Sequence, residues 1–270
     1  FLGDEVQPRV YTLIDEVLVD GGHLMLGDTS NAMHVNAAMG NMYVDSGGQL
    51  DIDNGSLSNS AGYIGYDSSD TSAVTVGGTS GNPATWTNSS DLNIGYDGYG
   101  VLSIRDGGQV NNAFGFIARN TGSVGVVLVA DEGSSWTNTG NLSIGGTSLL
   151  PGGSGELSVT GGSVNVDGSL KVYSGSLLNL SGGQLTARSV HDSAGVMNFT
   201  GGTMTVNGGT FFPSLTNDFH LDGADAPTLN MINGATVSYS GSLNVGYDDE
   251  GILNINSGST VSSEGAMIGT

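Results

Sequence analysis

The sequence predicts an all-β protein, a right-handed parallel β-helix (β-solenoid) of roughly nine to ten degenerate rungs. Three observations predict it. Glycine fills 47 of 270 positions, an apolar-x-apolar pair recurs along the chain, and longer words return many residues apart.

So much glycine, with Ser, Thr, Asn and Asp supplying much of the remainder, fits either disorder or many short strands joined by tight turns. Disorder fails, because 37% of the residues are hydrophobic and they recur in a pattern. The apolar pairs are Met42/Val44, Val74/Val76, Leu102/Ile104, Val127/Val129, Leu157/Val159, Leu178/Leu180, Met197/Phe199, Leu229/Met231 and Leu253/Ile255. Most residues between them are polar, with Tyr43 and Leu128 as exceptions. Alternation with period two buries one side of a strand and wets the other. Taken as one column, successive pairs lie about 19 to 32 residues apart, within the range of solenoid repeats. A strand this short cannot bury its apolar side alone, so stacked turns supply the missing wall at a spacing of about 4.8 Å. Nine or ten such turns make a rod about 45 Å long. The repeat is longer than a hairpin needs, and parallel β crossovers are right-handed almost without exception. Asn54-Gly55, Asn207-Gly208 and Asn233-Gly234 suit the corners, where positive φ is required.

The longer words confirm repetition. Leu92-Asn93-Ile94-Gly95-Tyr96-Asp97 returns as Leu243-Asn244-Val245-Gly246-Tyr247-Asp248, and each runs into a similar strand at Gly100–Ile104 and Gly251–Ile255. Trp86-Thr87-Asn88 and Trp136-Thr137-Asn138 form a second pair. The stretch from Ile64 to Gly145 resembles the glycine-rich repeat of autotransporter passengers and of secreted bacterial proteins with a PEP-type sorting signal. The matching words are Ile94-Gly95, Gly100-Val101-Leu102-Ser103-Ile104, Gly122-Ser123-x-Gly125 and Gly133-Ser134-Ser135-Trp136-Thr137-Asn138. The match weakens from Pro151 to Asn233 and then recovers, covering about two-thirds of the chain. The resemblance implies an exported bacterial β-solenoid, extracellular or on the cell surface, and brings no catalytic residues.

Charge narrows the partners. The formal charge is −21, and the basic residues are Arg9, Arg105, Arg119, Lys171 and Arg188 alone. Nucleic acid and anionic membrane surfaces both need clustered Lys and Arg, so neither is expected. No run approaches the roughly 20 apolar residues of a membrane span, and membrane insertion is not expected. There is no cysteine, so no disulfide framework is available. The first residue is Phe1, with no basic leader before it, as in a processed or trimmed chain.

Two segments are expected at the level of domains: residues 1–20 as an N-terminal cap or strand arm, and residues 21–270 as one solenoid. The first is poor in glycine and β-prone through Val10, Tyr11, Leu13, Ile14, Val17 and Val19. It reads as a cap or first rung, or as an arm that pairs with another copy. At the far end Gly265–Thr270 matches Gly115–Ala118, where the earlier copy continues into its next strand. The edge around Met267 and Ile268 is therefore a template for another strand. A homopolymer through the two ends is the expected partner.

Three chemistries are open to these residue types. The loops at Asp67, at Asp97 and at Asp248, Asp249 and Glu250 offer oxygen ligands for calcium along an edge. The fixed nonapeptide calcium repeat is absent, and turn formation is the favoured reading, with no cofactor expected otherwise. Trp86 and Trp136, with Tyr63, Tyr66, Tyr96, Tyr99 and Tyr247, offer a ladder for stacking on a surface glycan or matrix. Val164 and Val237 replace the Trp in other rungs, which favours inward packing. For an enzyme, the basic residues are scattered and His23, His34, His191 and His220 lack metal-ligand spacing. The expectation is a non-enzymatic extracellular structural protein that self-associates into a filament or surface layer. An autotransporter-like adhesin or spacer is the alternative, and a carbohydrate-active enzyme the last.

Overall fold

The computed structural model describes residues 9–12, 16–27, 33–37, 40–67, 70–78, 83–213 and 219–269. Its strands form a single parallel β-solenoid of about ten turns, with no helix among the described residues.

Each turn contributes one strand to each of three faces, here A, B and C. One turn runs through Ser56–Asn59 on face A, Gly62–Ile64 on face B and Thr71–Val76 on face C. The next turn, Thr85–Asn88, Asp91–Ile94 and Tyr99–Ile104, pairs with it strand for strand and in parallel. Face A holds its register from His34 to Ile255. The register shifts that do occur fall at corners, such as between Val166 and Ser169 or between Tyr239 and Ser242. A corner can absorb an extra residue because no pairing there is lost.

The alternation in sequence becomes inside and outside. In Tyr99–Ile104 the residues Gly100, Leu102 and Ile104 point inward and are buried, while Tyr99, Val101 and Ser103 face out. The nine apolar pairs, read above as one column, occupy three. Val74/Val76 to Met197/Phe199 stack on face C. Met42/Val44 belongs to face B, and Leu229/Met231 and Leu253/Ile255 belong to face A. Every face buries the same kind of pair, so periodicity alone does not say which face a pair serves.

The same ambiguity shifts the longer repeat. Leu92–Asp97 leaves face B for the corner towards face C. Its copy, 243–248, leaves face C for the corner towards face A, because 243–245 stacks on Phe219–Leu221 and the following strand Ile252–Ile255 stacks on face A. Val237 sits at the Trp position of the sequence repeat but stacks on Phe211, on face B.

The largest core residues are Trp86 and Trp136, both fully buried on face A. Inward packing was the favoured expectation, and the structure bears it out. Each indole N–H donates to an asparagine of the rung beneath, Trp86 to Asn59 at 2.6 Å and Trp136 to Asn112 at 2.7 Å. The same asparagines donate onward to Asn88 and Asn138, each at 2.7 Å. Buried amides and indoles are tolerated when bonded in this way. Room for the indoles comes from the rung beneath on face B: a Cβ on Gly62 would lie 2.8 Å from the Trp86 ring, and one on Gly115 would meet Asn138 and, at 3.0 Å, the Trp136 ring. The core thus alternates, Leu57 with Gly62, Trp86 with Leu92, Val110 with Gly115, Trp136 with Leu142.

At the corners Asn54 has φ of 53° and Asn233 of 56°, with Gly208 and Gly234 also positive. These are the positions the Asn-Gly words indicated. The N-terminal segment is continuous with the coil: Arg9–Thr12 pairs with 33–36, and Val17–Asp20 with Met42–Asp45. Val19 is buried and Val17 half-buried. Val10 and Tyr11 stack by backbone on His34 and Val35. Leu13 and Ile14, and the side chains of Val10 and Tyr11, lie outside the described residues.

Two substitutions test the alternating core by urea denaturation. Trp136→Ala should cost about 3–5 kcal/mol by opening a cavity. Gly115→Val should cost about 1–3 kcal/mol by overpacking. A neutral result for Gly115→Val would mean that the Trp pocket is not tight.

Candidate functional site

Two surface features stand out from the regular coil: an aromatic and acidic corner, and an uncharged face.

The corner follows face B. Tyr43 and Tyr63 are outward on adjacent rungs and stack at 4.8 Å, with 6° between planes. Tyr66 and Tyr96, one turn of corner further on, stack at 5.0 Å. The two pairs meet edge to face, Tyr43 with Tyr66 at 5.2 Å and Tyr63 with Tyr66 at 5.4 Å. Arg119 closes the group, with its guanidinium 4.3 Å from the Phe116 ring centre and 5.5 Å from that of Tyr96. It also donates to Asn93 at 2.8 Å and to Asp91 at 3.3 Å. Parallel stacking brings this about, since the outward residue of each rung lies over its counterpart in the next. Burial raises the phenol pKa values of Tyr43 and Tyr63.

The sequence grouped the tryptophans with the tyrosines. The structure separates them, placing Trp86 and Trp136 in the core and Tyr63, Tyr66 and Tyr96 on the surface. Tyr43 is the member that the sequence reading left out. It was legible as the aromatic exception between Met42 and Val44.

The carboxylates named as calcium ligands fall at two corners. Asp67 and Asp97 follow face B on adjacent rungs, where the Asp97 N–H donates to the Tyr66 carbonyl and Asp97 accepts from Asn120 at 2.8 Å. Asp248, Asp249 and Glu250 follow face C, and the N–H groups of Asp248 and Asp249 donate to the two oxygens of Asp222 at 2.7 and 2.6 Å. Among the described residues no group of three or more His, Cys, Asp or Glu side chains is arranged to hold a metal ion. At the first corner, Asp45 accepts from the Tyr66 N–H at 3.1 Å. A hydrogen bond between the Asp67 and Asp45 carboxyls, followed by repulsion from the Asp45 charge, holds the Asp67 pKa above the usual carboxylate range.

At the last rung, Met267 and Ile268 are 44% and 78% exposed. The basic side chains lie apart. Arg119 is engaged at the tyrosine corner, and Lys171 donates to the Ser148 carbonyl at 2.7 Å. Beside Lys171, burial lowers the His191 pKa, and burial raises that of Asp192.

The Asp67 proton is bound more tightly in the folded chain than in the unfolded one. Its stabilising effect is present at low pH and is lost as pH rises through the raised folded value. Asp67→Asn should therefore melt at a higher temperature than the parent at pH 7, and the difference should vanish near about pH 3. Thermal circular dichroism at both pH values decides it; a lower melting temperature at pH 7 would show the pair to be stabilising as charged groups.

Comparison with protein-family models, with curated proteins and with solved structures finds no match to this chain.

Proposed function

We propose that the chain is an extracellular structural protein, a stiff β-solenoid rod that associates end to end with copies of itself into a filament or surface layer. The observation that carries this is the stacking of about ten turns in parallel register, in which each strand pairs with the equivalent strand of another turn. Leu253 and Ile255 stack on Leu229 and Met231 in the same register that runs along face A. A strand edge of such a coil is a template for strand addition, with backbone bonds giving affinity and apolar side chains giving burial. A further turn from another copy lengthens the rod.

Head-to-tail stacking of unlike ends is the arrangement that propagates rather than closes. The charge of −21 suits a soluble exported surface, and the resemblance to the autotransporter-type repeat supports export. The scattered basic residues support a non-enzymatic role.

A second reading, an autotransporter-like adhesin or spacer, is favoured by the tyrosine corner. Tyr, Phe and Arg are residues that dominate recognition surfaces, and amphipathic rings suit a glycan or matrix partner.

Sedimentation and negative-stain electron microscopy of the 270-residue chain test the first reading. Rods of several unit lengths are expected, and Ile255→Lys with Ile268→Asp should reduce them to single units with unchanged circular dichroism. Single short rods in the parent chain would turn attention to the tyrosine corner, through glycan binding by Tyr63→Ala.

A further inference from the structure

Face A differs from the other two in what it shows to solvent. From Ser56–Asn59 to the 228–230 segment, eight rungs stack in register, each with two outward positions. Every one of those positions carries Ser, Thr, Asn or Gln. Composition does not explain this, because the chain holds 26 acidic and 5 basic residues. Outward charges occur on the other faces, at Asp91 and Lys171 on face B and at Asp51 and Glu156 on face C. The flanking corners are charged too, with Arg105, Asp106, Asp131 and Glu132 exposed just before face A. One aliphatic residue, Ile232, borders this set, following Asn230 on its strand and pairing with Asn207.

Much of this lattice is unspent. Among the described residues, the side chains of Thr85, Thr87, Ser135, Thr137, Asn165 and Thr186 make no hydrogen bond within the protein. They stand in straight rows, about 4.8 Å apart along the axis and about 6.6 Å apart along each strand. The support beneath is rigid: Trp86, Trp136 and Val164 are fully buried, and the indoles are tied to asparagines.

A partner for this face has to be neutral, flat and periodic. A second protein surface fits poorly, because interfaces are built around an apolar or aromatic core. A glycan fits poorly as well, since there is no exposed ring to stack upon. Water itself fits. Hydroxyls and amides both donate and accept, so each can stand in for a water molecule of a hydrogen-bonded lattice. Carboxylates only accept and ammonium groups only donate, and either would leave a defect in such a lattice. Ordered waters bridging fixed polar groups cost little when the groups are already held in place. Eight rungs in register repeat each weak contact many times on one rigid body, so that the first contacts pre-position the rest.

We propose that face A is an ice-binding surface, on which rows of threonine, serine and asparagine anchor a periodic layer of water continuous with crystalline ice. It is independent of the association of the rod at its ends, and it uses no residue of the tyrosine corner.

The experiment is ice-affinity partition with ice recrystallisation assays. It is run on the end-blocked chain carrying Ile255→Lys and Ile268→Asp, so that association plays no part. The chain is expected to enter slowly grown ice and to keep ice grains small. Thr87→Lys with Thr137→Lys should abolish both effects at unchanged circular dichroism. Ser103→Lys with Ser158→Lys, on the outward side of face C, should leave both intact. Rejection of the parent from ice to the same degree as the face A variant would overturn the proposal. So would equal loss in the face C variant. Capture by microcrystalline cellulose, lost with Thr137→Lys in a chain that ice rejects, would reassign the face to a neutral polysaccharide.

Discussion

Every feature of this molecule depends on parallel stacking in register, in which the neighbour of a residue above and below is the residue at the same position of another turn. The backbone groups of each strand are spent on the adjacent turns, and side chains at equal positions are forced into rows. Inward rows become the core, outward rows become surface stripes, and corners become ladders of glycine and asparagine. A favourable contact is repeated, and so is a bad one. That is why Gly62 and Gly115 sit under the indoles, and why a single added methyl group there is felt by the rung above. It also explains the Asp45 and Asp67 pair, two carboxyls on neighbouring rungs close enough for Asp45 to raise the Asp67 pKa.

The rows give the rod its chemistry one stripe at a time. Eight rungs of face A are uncharged on their outward side, and the corner after face B is aromatic and acidic. Neither needs a pocket or a folded insertion. Each arises because a strand position, once chosen, is repeated turn after turn with limited variation. Recognition on such a body is spread along a line, and affinity grows with the number of turns that engage.

Much of the fold was legible in the sequence, and the reason is the same periodicity. Leu102/Ile104 and Leu157/Val159 alternate so plainly that strands and burial follow directly, and Asn54 and Asn233 mark their corners. What periodicity does not carry is phase around the coil. Met42/Val44 and Leu253/Ile255 look like members of the series headed by Val74/Val76, yet they serve other faces. Trp86 and Tyr63 are both aromatic near glycine, and only the parity of each position within its strand sends one inward and the other out. The neutral face was hidden for a related reason. Thr87, Asn111 and Thr137 are each unremarkable in so polar a chain, and their significance lies in the absence of charge across rungs that are far apart in sequence.

The repeat that returns one face later has a geometric consequence. The word Leu-Asn-x-Gly-Tyr-Asp forms the corner between faces B and C near the middle of the rod and the corner between faces C and A near its end. The same motif therefore looks out in two directions, a third of a turn apart, on one stiff body. A rod built so is no longer one-sided. It can hold like surfaces at an angle to one another, and a spacing device becomes a junction.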